Sequence, residues 1–89
     1  MNAAEIARHA ADLISGDRNA SHGEAHVNFE NIRALWSAYL ARELTAVDVA
    51  LMMVLLKVAR TKAGRHNPDD YVDAVGYAAL AGEMAGGTG

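Results

Sequence analysis

The sequence predicts an all-α fold, a four-helix bundle-like domain with a fully apolar central helix at about residues 46–62 that is expected to oligomerise. Three observations predict it. The stretch Asp48–Arg60 contains an eight-residue unbroken apolar run, Val49–Leu56, and reads as a helix that is apolar on every side. Such a helix has to be wrapped by other elements. Phe29, Ile32, Trp36, Tyr39 and Leu40 recur at helical spacing and make one amphipathic face. Helix-start signals recur, and no stretch alternates apolar and polar residues as a strand would.

The elements follow in order. Residues 3–15 form a first helix with a thin stripe of Ile6, Ala10, Leu13 and Ile14, stopped by Ser15-Gly16. Residues 16–23 are a polar loop. Ser21 and Glu24 fit a capping box that opens a second helix running to about Ala41. Thr45 and Asp48 fit another, which opens the central helix. That helix ends near Lys62-Ala63, with Gly64 suited to a left-handed terminus. Asn67 then caps a fourth helix, with Pro68 at its first position and Asp69 and Asp70 in its first turn, where carboxylates suit the positive helix end. The fourth helix has two faces. One is Val72, Val75 and Ala79, with Gly76 and Gly82 permitting close approach. The other is Asp73, Tyr77, Leu80 and Met84, so this helix is expected to be sandwiched, between subunits if the chain oligomerises. Residues 86–89 form a glycine-rich tail.

At 89 residues the chain is one domain, 1–89. A chain this short buries about 60–65% of its unfolded surface, which leaves a marginal core. Nineteen of the apolar residues are alanine, which contribute little burial each, so a homodimer or tetramer is the expected source of further stability. There is no cysteine, hence no disulfide framework or thiolate metal site. The Val49–Leu56 run is far short of the roughly 20 residues a membrane span needs. Glu5, Arg8, His9 and Asp12 interrupt any apolar leader, so the expected location is the cytoplasm. A net charge of −3 argues against a nucleic-acid binder. A helix–turn–helix around Ala41–Thr45 would also need a less apolar second helix to enter a groove.

Four groups of residues could carry chemistry. Asp69 and Asp73, four apart, project from one helix face and could hold Mg²⁺ with waters and a phosphate. The plainer reading is that Asp69 caps and Asp73 pairs with Lys57 or Arg60. Lys57, Arg60, Lys62 and Arg65 place half of the eight basic residues in nine positions, either to suit a helix C-terminus or to bind phosphate. Asn28 and Asn31 on the second helix could hydrogen-bond a base or sugar. Asp17, Arg18 and Asn19 form a loop of the kind that either turns the chain or presents binding groups. Tyr77 shares the face of Asp73. His22, His26 and Glu30 have metal-ligand spacing but lack a clear further ligand, so a solvated helix face is the simpler account.

The chain resembles a small family of phage and prophage proteins of unknown function. The resemblance rests on three blocks within residues 16–84: Gly16-Asp17-Arg18 with His22-Gly23, Asn28-Phe29 and Ile32 to Trp36; Asp48-Val49-Ala50 with Met52-Met53, Leu55-Leu56-Lys57 and Ala59-Arg60; and Asp69, Asp73 and Gly76-Tyr77. More loosely, it is similar to the MazG-like all-α nucleotide pyrophosphohydrolases. That likeness implies a helical oligomer, Mg²⁺ held by acidic residues and cleavage of a phosphoanhydride. Asp73 matches a late acidic position, but Glu24, Asn28 and Asn31 stand where that family carries a cluster of glutamates. The expected function is binding of a nucleotide or phosphorylated small molecule, with Mg²⁺-dependent hydrolysis if catalysis occurs. The alternative is a non-enzymatic interaction module acting on a host protein.

Overall fold

The computed structural model describes residues 1–16 and 25–87. Four helices account for most of them: α1 (Ala3–Ser15), α2 (Ala25–Leu40), α3 (Ala46–Arg60) and α4 (Pro68–Ala85). No strand occurs among the described residues.

Caps set the boundaries. At α3 the Thr45 hydroxyl accepts the Asp48 N–H at 3.1 Å, and the Asp48 carboxylate accepts the Thr45 N–H at 2.9 Å, the reciprocal box the spacing predicts. Asn67 caps α4 through the Asp69 N–H at 3.0 Å, with Pro68 where a missing N–H costs nothing. Asn2 and Glu5 make a second reciprocal box at the start of α1, one not among the sequence expectations. The Ser21–Glu24 box lies outside the described residues. Gly16 ends α1, where a Cβ would stand 2.6 Å from the Asp12 carbonyl oxygen. Beyond Arg60 the chain tightens, with the Thr61 and Lys62 N–H groups donating to the Val58 and Ala59 carbonyls, and Gly64 takes the left-handed conformation (φ +72°).

α2 closes with Ala41 in that same region (φ +54°), as the Arg42 N–H reaches the Ser37 carbonyl at 3.1 Å and the Ala41 N–H the Ala38 carbonyl at 3.3 Å. The connection then folds back along α2. The Leu44 N–H donates to the Ser37 hydroxyl at 2.9 Å, and Arg33 Nη1 meets Glu43 Oε1 at 3.0 Å.

The core is small. Phe29, Val49, Ala50 and Ala81 are buried together, with Ile32, Trp36, Tyr77, Leu80 and Met84 packed against them. Ala10 of α1 and Val72 of α4 are buried outside this cluster, so α4 is covered by α3 on one side and by α1 on the other. Of the face made by Val72, Val75 and Ala79, Val72 is buried while Val75 and Ala79 stay exposed, so this face is only partly used within one subunit. Gly76 and Gly82 contribute no close approach, because a Cβ at either would meet nothing within 4 Å.

Two sequence expectations fail on geometry. α3 is not wrapped: Leu51, Leu55 and Val58 are 47, 65 and 45% exposed. The helix that could have covered them, α1, packs on α4 instead. Tyr39 is 88% exposed rather than part of the α2 core face. At 3.6 residues per turn it points about 80° away from Phe29, ten positions earlier.

Candidate functional site

The charged residues of α3 and α4 meet where the two helices run side by side toward the 61–67 connection. Lys57 Nζ lies 3.0 Å from Asp73 Oδ2, with side chains only 15% and 21% exposed. Arg60 Nε donates to Asp70 Oδ1 at 3.0 Å; Asp70 is 7% exposed and Arg60 58%. Local sequence explains the alignment. Asp70, Asp73, Tyr77, Leu80 and Met84 step by three, four, three and four residues, which holds one stripe of α4 against a neighbour. Lys57 and Arg60, three apart at the end of α3, meet that stripe. Asp70 also sits in the first turn of α4, where the helix dipole favours a carboxylate.

Removing a partner is costly here. A carboxylate taken out of water needs its cation and hydrogen bonds; losing one partner of a fully buried pair costs about 3–5 kcal/mol, and less at these two pairs, which keep some contact with water. No buried side-chain nitrogen or oxygen among the described residues lacks a hydrogen-bond partner.

The residues singled out in the sequence are only partly brought together. Lys57, Arg60 and Asp73 fall on this seam. Tyr77 lies one turn from Asp73, its ring centroid 6.1 Å from that of Phe29. Asp69 is exposed in the first turn of α4, off the inward stripe. Asn28 and Asn31 are exposed on α2, and neither belongs to the two ion pairs. Asp17, Arg18, Asn19 and His22 lie outside the described residues. Asp70 is the partner that the sequence reading assigned only to the helix end; its place on the inward stripe was the signal available for it.

Lys57 occupies the side of Asp73 that a cation would use. A Mg²⁺ ion would have to be held by Asp73 together with Asp69, waters and a phosphate. No group of three or more His, Cys, Asp or Glu side chains able to hold a metal occurs among the described residues.

A second polar cluster lies at the other end. His26 Nε2 is 2.8 Å from Glu83 Oε2, joining α2 to the last turns of α4. Beside it opens a shallow cleft of about 320 Å³ lined by His26, Glu30, Ala46, Val47, Met84 and Gly87. Arg33 lies between Glu30 (2.7 Å) and Glu43 (3.0 Å). The Glu30 hydrogen bond, and next its charge, raise the Arg33 pKa above its ordinary value; desolvation works against this, and the charge of Glu43 adds the smallest contribution.

A family model described as a domain of unknown function, DUF6378, matches residues 5–85. The chain belongs to the DUF6378 family. The Gene 55 protein of Mycobacterium phage D29 is 41% identical over 73 residues, covering 82% of this chain and 48% of that protein. The Gene 55 protein of Mycobacterium phage L5 is 42% identical over 76 residues, covering 84% and 49%. The chain therefore spans about half the length of these two relatives. No solved structure matches it. The DUF6378 match contains all three sequence blocks on which the phage resemblance rests, and the two relatives are phage proteins. The likeness to MazG-like pyrophosphohydrolases finds no counterpart in these matches. Among the described residues of this DUF6378 chain, no helix is long and apolar enough to cross a membrane.

Proposed function

We propose that the chain is a non-enzymatic phage accessory module that acts by binding a protein of the host cell. One observation carries this reading: the groups available for chemistry are engaged with each other, while large apolar side chains face outward. Lys57 is held at 3.0 Å by Asp73 with both side chains largely covered, and Arg60 gives its Nε to Asp70 at 3.0 Å, so the lysine is not presented to a phosphate and the arginine only in part. Leu35 and Tyr39 of α2, by contrast, stand free of the core, and exposed aromatic and aliphatic side chains are what protein interfaces use as anchors.

The other reading is a nucleotide or phosphorylated small molecule held by Lys57 and Arg60, with Mg²⁺ on Asp69 and Asp73 and the sugar or base against Asn28, Asn31 and Tyr77. Its support is the spacing of the two aspartates beside a lysine. It requires the ligand to open the Lys57–Asp73 and Arg60–Asp70 pairs, with their attraction lost from the binding energy.

Thermal melting against a nucleotide panel, with and without Mg²⁺, separates the two. Ligand at about 100 times its dissociation constant adds about 2.7 kcal/mol of stability. The expected result is no shift for any nucleotide, together with a host protein that co-purifies with the wild type and not with a Leu35→Glu/Tyr39→Ser variant. A Mg²⁺-dependent shift that disappears in Asp73→Asn overturns the reading in favour of the nucleotide site.

A further inference from the structure

The outward face of α3 carries Asp48, Leu51, Leu55 and Val58, and the exposed Lys62 follows in the turn just after the helix. Their spacings are three, four, three and four residues. This is the heptad repeat that keeps one seam of a helix facing a partner helix. The seam is not used inside the subunit: Leu51, Leu55 and Val58 are each about half exposed or more, while Val49 and Ala50 on the opposite side fill the core.

The charges at the two ends of the seam identify what covers it. Asp48 stands at the N-terminal end and Lys62 at the C-terminal end. A second α3 laid parallel and in register would set Asp48 against Asp48 and Lys62 against Lys62. Laid antiparallel about Leu55, it sets Asp48 against Lys62 at both ends, Leu51 against Val58, and Leu55 against itself. We propose that this face is the seam of a two-fold homodimer, with the two α3 helices antiparallel. A two-fold axis makes every contact occur twice, which is the condition a pattern acidic at one end, basic at the other and apolar between satisfies with its own copy. Asp48 can take part without giving up its cap, because only its Oδ2 accepts the Thr45 N–H.

The inference stands apart from the host-protein reading and is tested separately. Sedimentation of the full chain over a wide concentration range should show a monomer–dimer equilibrium. Leu55→Glu should shift it to monomer at every concentration while the helical circular dichroism is retained, since Leu55 lies outside the core. The chain has no cysteine, so introduced thiols report geometry directly. Leu51→Cys mixed with Val58→Cys should form the mixed disulfide dimer under mild oxidation in preference to either self-paired dimer. A wild type that stays monomeric, a dimer untouched by Leu55→Glu, or preferential self-pairing of Leu51→Cys would each overturn the proposal.

Discussion

The two faces of α3 invert the usual arrangement of a surface helix. The inner face holds Val49, Ala50 and the ammonium of Lys57; the outer face holds Leu51, Leu55 and Val58. Among the described residues the largest side chain with no exposure at all is only Val49. Position, not hydrophobicity, decided which side of this helix entered the core. The small Val49 and Ala50 pack among Phe29 and Ala81, and Lys57 further along the helix is paired with Asp73. The leucines, being larger, are left for a contact that one subunit does not make.

The strongest way to break this contrast is to place the same charge on each face. Val49→Asp puts an unpaired carboxylate in the core, a change of about 4 kcal/mol or more, enough to abolish the cooperative melt of a small domain. Leu55→Asp should keep the helical signal by circular dichroism. Similar outcomes for the two would mean that the faces do not differ as described. Arg60→Ala leaves Asp70 buried without its cation. A loss of about 2–3 kcal/mol is expected in urea unfolding, below the range for fully buried pairs because Arg60 is itself half in solvent; Asp70→Asn in the same background should recover part of it.

Smaller effects sharpen the comparison. Lys57→Met should cost about 1–2 kcal/mol, and adding Asp73→Leu should cost less than the sum of the single changes, because the second removes the orphan that the first creates. A purely additive cycle would mean that the pair at 3.0 Å is energetically idle. Thr45→Ala removes the cap shared by both faces, with an expected loss of about 1 kcal/mol in thermal melting. An unchanged melting temperature would mean that water replaces the hydroxyl at no cost.

Helix types and starts were legible because they are local. The Thr45–Asp48 box and the Asn67-Pro68 start each depend on residues within one turn. The Lys57–Asp73 pair was also within reach, since both lie on inward helix faces. Three features were not. Ala41 carries no mark of its left-handed backbone, a conformation glycine adopts more readily. The bare outer face of α3 depends on where α1 docks, and nothing local to α3 encodes that. Glu83 was missed as the partner of His26 because 57 residues separate them.

The span of each pairing along the chain also orders assembly in time. The α3–α4 contacts close short loops: Arg60 and Asp70 are ten residues apart, and such loops form quickly and at little entropic cost. The contact of α1 with α4 joins the two ends of the domain. On the ribosome α1 is therefore synthesised before the surface it docks on, held in waiting until α4 emerges. In the folded protein the same asymmetry runs backward: α1 undocks first, and its amide hydrogens are expected to exchange with solvent well before those of the α3–α4 hairpin.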